Sequence, residues 1–93
     1  MPQYKGNFRL TVLSPKRLVF ESEVNSVFIP GDQSEYELLA YHYPIVGVVA
    51  PGDVIIDGQK SITVRSGIVR FFANECTILV EEAKITPVQK VKH

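Results

Sequence analysis

The chain is a succession of short apolar and β-branched runs between turn signals, and where apolar and polar residues alternate with a period of two a strand turns one face to a core. Phe8-Arg9-Leu10-Thr11-Val12 is the first such run. Ser14-Pro15-Lys16-Arg17 turns the chain. Leu18-Val19-Phe20-Glu21 starts a second strand, with the charges of Glu21-Ser22-Glu23 at an edge or bend. Val24 to Ile29 resumes an extended pattern, and Pro30, which has no N–H for a ladder, ends it. Further on, Asp53 to Ile56 leads into Asp57-Gly58, the strongest local hairpin signal in the chain. Ser61 to Arg65 is the return strand, with Ile62 and Val64 inward, and Ser66-Gly67 breaks it. Ile68 to Phe72 and Thr77 to Val80 form another predicted hairpin around Ala73-Asn74-Glu75. No long segment has helical spacing; Glu81-Glu82-Ala83-Lys84 is long enough for a single turn before Pro87. The pattern predicts an all-β protein, a flattened antiparallel β-sandwich or barrel of about eight to ten short strands. We expect one domain over residues 1–86 and a flexible tail over residues 87–93.

Between these runs lies Gly31 to Asp53, bounded by turn chemistry at Pro30-Gly31-Asp32 and at Pro51-Gly52-Asp53. Its second half, Ile45-Val46-Gly47-Val48-Val49, is short and mostly β-branched, which predicts a buried strand. Its first half, Ser34 to Pro44, mixes charge and aromatics with the only histidine apart from His93, and is expected to be a working loop. Phe71 and Phe72 are neighbours in a strand and point to opposite faces, so both cannot enter one core. The outward ring marks either a partner surface or a place covered by the chain's own loops.

Composition narrows the function. Ten basic and ten acidic residues cancel, which disfavours a protein that holds nucleic acid through its phosphates. A hydrophobic fraction of 45% suits a folded domain rather than a disordered one. The single cysteine, Cys76, excludes an intramolecular disulfide and a cysteine-rich metal site, and its apolar neighbours suggest a half-buried, inert thiol. The first residues lack the apolar core of a signal peptide, and no apolar run reaches membrane-spanning length. A reducing aqueous compartment is expected.

Catalysis needs a nucleophile with a base, paired carboxylates or a metal cluster. His42 has Glu35 and Glu37 nearby in sequence, but no third group is spaced to complete a site. Phosphate-cradling glycine loops are absent. Tyr36, Tyr41 and Tyr43 could stack on bases, but no basic residues lie between them. From the residues alone the chain reads as a small all-β interaction module rather than an enzyme.

The order of three segments adds a resemblance. FRLTVLSPKRLVFESEVNSVFIPG resembles the opening of the amino-terminal β-sandwich of the epsilon subunit of F-type ATP synthases (delta in mitochondrial naming), where two strands carry a short "VSP" or "VTP" turn and end at glycine. SGIVRFFANECTILVEEA is similar to that family's "SGGxxEVxxNxVTVLADxA". In the central stretch Glu35, His42 and Pro44 match the glutamate, histidine and last proline of the family's "GELGILPGHAPL" loop, and Ala50-Pro51-Gly52 matches its "KPG". Ser34, Glu37 and Tyr41 stand where the family has glycines, and Ala40 where it has a proline. The loop is therefore expected to differ in conformation.

The resemblance implies a non-catalytic rotor subunit with no cofactor. Its partners would be the gamma subunit and the membrane c-ring, and it would pass ion-driven rotation on to ATP synthesis. It would lie on the cytoplasmic side of an energy-transducing membrane and reach that membrane only through the complex. By position, Gln33, Glu35 and His42 would face the c-ring, and Phe71 or Phe72 would meet gamma. The family's carboxy-terminal pair of helices, which inhibits ATP hydrolysis, has no counterpart in these 93 residues, so inhibition by that route is not expected. Two other classes stay open at this point: a free-standing oligonucleotide-binding barrel, and a small enzyme centred on His42 and Glu35.

Overall fold

The computed structural model describes residues 6–81 and 83–87. They form ten strands: β1 (Phe8–Leu13), β2 (Leu18–Val24), β3 (Ser26–Ile29), β4 (Tyr36–Leu39), β5 (Ile45–Val49), β6 (Gly52–Ile56), β7 (Lys60–Val64), β8 (Gly67–Phe72), β9 (Glu75–Val80) and β10 (Ala83–Pro87). Two five-stranded sheets result, ordered β2-β1-β9-β8-β5 (sheet A) and β10-β7-β6-β3-β4 (sheet B). Every pairing is antiparallel except β1 with β9, which is parallel. The body is flattened, 38 × 35 × 27 Å.

The predicted alternation is what fills the space between the sheets. Sheet A sends in Phe8, Leu10, Val12, Val69, Phe71, Cys76 and Ile78, and sheet B sends in Val27, Ile29, Leu38, Val54 and Ile62, all essentially inaccessible to water. Phe8 and Phe71 meet edge to face at 5.3 Å between centroids, worth about 0.5–1.5 kcal/mol beyond their burial. Among the described residues no polar or charged side chain is buried.

The second and third strands divide differently from the sequence pattern. β2 is the edge strand of sheet A, as the charges of Glu21-Ser22-Glu23 suggested, and it runs straight through them, because both carboxylates point outward and meet the Arg9 guanidinium at 3.3 Å. The break comes at Asn25, where the chain crosses from sheet A to sheet B. Asp57 Oδ1 accepts the backbone N–H groups of Asn25 and Ser26, at 2.7 and 3.0 Å, so the donors released by the crossing are satisfied. Asp57 itself has φ 53°, Gly58 has φ 65°, and the Gln59 N–H donates to the Ile56 carbonyl, the geometry that the Asp-Gly pair predicts.

Three other expectations are corrected. Ser34 to Pro44 is not all loop, since β4 occupies Tyr36–Leu39 as the edge strand of sheet B. The run Ile45–Val49 is a strand, but it edges sheet A and is not buried: Val46 is 73% and Val48 62% exposed. The helical turn expected over Glu81 to Lys84 is not found at Glu81, Ala83 or Lys84, and Glu82 lies outside the described residues. The Glu81 N–H donates to the Ser66 carbonyl, and from Ala83 the chain pairs with β7, so tertiary pairing overrides local propensity. Pro87 falls opposite Lys60 in β10, and the rest of the expected tail lies outside the described residues.

The β8–β9 turn holds Ala73 at φ 51° and Asn74 at φ 61°. Asparagine tolerates this left-handed region; alanine carries a steric cost of about 1–2 kcal/mol there. Ala73→Gly should therefore stabilise the fold by about 0.5–1 kcal/mol, after the entropy glycine adds to the unfolded chain. A urea midpoint that stays put or falls would contradict this.

Candidate functional site

Two surfaces differ sharply from the rest of the sandwich. The first is the outer face of sheet A. Leu18, Leu13, Leu79, Ile68 and Val48 are partners in succession across β2, β1, β9, β8 and β5. At about 4.8 Å per strand this apolar row is about 19 Å long. Leu18, Leu79, Ile68 and Val48 are all exposed. On the same face Phe72 is 59% exposed while its neighbour Phe71 is 0% exposed. The strand geometry thus separates the phenylalanine pair as expected. A partner can reach Phe72, whereas Phe71, the other residue offered from sequence for that contact, lies in the core. The outer face of sheet B differs: Phe28 and Ile55 are interrupted there by Glu37 and by Asp53, which accepts a hydrogen bond from Thr63 Oγ1 at 2.7 Å.

The second surface is the side of the sandwich where the edge strands of both sheets, β4 and β5, run together. Tyr36 ties them: its phenol donates to the Val48 carbonyl at 3.1 Å, and partial burial raises its pKa. Gln33 and Glu35 are exposed just before β4, and His42 lies three residues beyond its end. They share one rim but stand at opposite ends of a strand spanning about 10 Å. His42 is half-buried. It packs on Tyr43 and edge-on to Phe71, at 4.4 and 5.7 Å between centroids. Its Nδ1 lies 2.7 Å from the Tyr43 carbonyl, which can only accept, so Nδ1 is the donor in this contact.

The loop's departure from a glycine-rich pattern resolves simply. Tyr41 takes the positive φ, 67°, that a glycine would supply. Its N–H donates to Asn74 Oδ1 at 2.6 Å, which holds that conformation.

Residue-by-residue reading missed the rim's charge. Between Leu18 and Gln59 the chain has no lysine or arginine, yet it carries Glu21, Glu23, Asp32, Glu35, Glu37, Asp53 and Asp57, seven of its ten acidic residues. A net charge of zero hides this block. Asp32, Glu35 and Glu37 fall on the β3–β4 hairpin, and all three are exposed, so the rim favours a basic partner.

Glu35 and His42 are held apart by β4, and among the described residues no three acidic, histidine or cysteine side chains gather where they could hold a metal ion. The depression beside Phe72 is lined by Pro44, Ile45, Val46, Phe71 and Arg70, one charged group among apolar ones. No helix among the described residues is long and apolar enough to cross a membrane.

Cys76 is more deeply buried than the sequence suggested, and burial pushes its thiol from 9.0 up to about 12. A thiol reagent at pH 8 should therefore modify it only on unfolding. The folded chain holds this proton more tightly than the unfolded one, so the linked stability is intact below pH 9 and is lost as pH rises through about 12. Rapid labelling of the native protein would contradict this placement.

Comparison with known proteins establishes the family and the fold. The family model described as ATP synthase, Delta/Epsilon chain, beta-sandwich domain, matches residues 7–86. The ATP synthase epsilon chain of Rhodopseudomonas palustris (strain BisA53) is 37% identical over 81 residues, covering 84% of this chain and 60% of that one. That of a Nitratiruptor species is 35% identical over 79 residues, covering 81% and 61%. The chain thus spans about three fifths of the length of these curated relatives. Among solved structures, a chain of the Euglena gracilis mitochondrial ATP synthase (OSCP/F1/c-ring) superposes with TM-score 0.79 at 19% identity, over 99% of this chain and 60% of that one. A chain of the Tetrahymena thermophila central stalk/c-ring structure gives 0.74 at 16% identity, over 88% and 69%. At these identities the structures establish the sandwich fold.

Proposed function

The chain belongs to the ATP synthase delta/epsilon family through its β-sandwich domain, and on that premise we propose that it is a non-catalytic rotor subunit of the central stalk. It would join the gamma subunit to the membrane c-ring, so that ion-driven rotation of the ring reaches the head where ATP is made. The observation that carries this reading is the separation of two unlike surfaces on one small body. An apolar sheet face suits a lasting protein contact, and an acidic, polar rim suits a second partner with basic loops.

On this reading gamma covers the outer face of sheet A, with Phe72 inside the contact. Gln33, Glu35 and His42 face the ring from the rim, joined by Glu37. Each exposed carboxylate contributes only about 0.2–1 kcal/mol. Spread along a rim such pairs add up, and salt weakens them. The subunit would sit on the cytoplasmic side of an energy-transducing membrane, peripheral to it and held there by the complex. Inhibition of ATP hydrolysis is no part of the role proposed for these strands.

The rim is tested with purified c-ring and the gamma-bound chain. Reversing Glu35 and Glu37 together to lysine should weaken retention on the ring about tenfold and flatten its salt dependence, with gamma affinity unchanged. Retention equal to the native chain's at every ionic strength would remove the rim from the proposal.

A further inference from the structure

The apolar face of sheet A is not uniform. Arg70 stands out from β8 between Ile68 and Phe72, opposite Val46 on β5 and Thr77 on β9. Arg9, on the same face, is paired with Glu21 and Glu23. Among the described residues no carboxylate pairs with Arg70. Its planar fork of donors is therefore available, in a setting from which a docked partner would strip water. An apolar partner closing over this face must either leave that cation unpaired, at a cost of several kcal/mol, or bring a carboxylate to it.

We propose that Arg70 fixes the register and choice of the partner on this face by pairing with a carboxylate set among apolar side chains. The partner's requirements follow from the strand. Ile68 and Phe72 each lie two residues from Arg70, about 7 Å away along β8. The complementary surface must therefore carry one aspartate or glutamate with apolar groups at about that distance on both sides. The inference rests on the assignment of this face to gamma and adds the residue that selects it.

The experiment measures affinity for the gamma subunit of the same organism, in full-length form, across ionic strength, for the native chain and for Arg70→Met, Arg70→Lys and Arg70→Glu. Arg70 is exposed, so all three variants should melt with the native protein. Arg70→Met should lose about thirtyfold in affinity, Arg70→Glu more, and Arg70→Lys should fall between Met and native, because it keeps the charge without the fork. Native-like affinity in Arg70→Met and Arg70→Glu, with the native chain binding well, would overturn the inference and leave the rotor reading standing. Failure of the native, folded chain to bind would overturn both.

Discussion

Gly67→Ala should destabilise the fold by about 3 kcal/mol or more, among the largest effects of any single methyl group in this chain. Gly67 opens β8 and is paired on both sides, with Val49 of β5 and Val80 of β9. A Cβ built there runs into the Leu79 carbonyl oxygen and lies 2.9 Å from the Val80 Cα. These are backbone atoms in a two-sided ladder, so relief requires the β8–β9 hairpin to shift as a whole. Such a shift drags Phe71 and Cys76, both buried, out of register with the opposite sheet. For a domain of this size the loss corresponds to a fall in melting temperature of about 15 °C. Calorimetry on the variant checks it, and a change under about 0.5 kcal/mol would show that the close approach is not a constraint.

The second large effect is on binding. The double variant Ile68→Asp, Leu79→Asp places two charges at directly paired positions in the middle of the apolar row. Both residues are exposed, so stability should change little. Affinity for gamma should fall about a thousandfold, because each carboxylate would be desolvated without a partner in a closed contact. Phe72→Ala, which removes one exposed ring, should cost about 2 kcal/mol, or about thirtyfold. Calorimetric titration reads both. Unchanged affinity in the double variant would move gamma off this face.

Much of the fold was legible because strand periodicity is a strong, local signal. The alternation from Phe8 to Val12 sets which side chains enter the core, and the structure agrees there residue by residue; at Ile68 to Phe72 and Thr77 to Val80 the strands and their hairpin were legible, not which apolar residues turn inward. Asp57-Gly58 was legible for a different reason: the turn's positive φ values admit few residue types. What failed depends on neighbours remote in sequence. A β-branched run looks the same whether it lies mid-sheet or at an edge, so Ile45–Val49 was expected to be buried when only its Val49 is. Gly67 looked like a strand breaker because composition cannot show a backbone approaching from β9. β10 was hidden by Glu81 to Lys84, whose helical propensity yields to pairing with β7.

The candidate surfaces were legible in part. That Phe71 and Phe72 must diverge follows from strand geometry alone; which of them faces out does not. The acidic stretch was visible as a gap in lysine and arginine, but a net charge of zero drew attention away from it. The apolar row could not be found by reading along the chain. Its five members come from five strands and meet only through register.

We propose above all that this sandwich binds gamma through the outer face of sheet A. It is tested most directly by titrating the purified native chain into gamma of its own organism, with Ile68→Asp, Leu79→Asp as the control. A dissociation constant of about 1 μM or tighter is expected for the native chain, lost in the control. A folded native chain that does not bind, or a control that binds as well as the native protein, would contradict it.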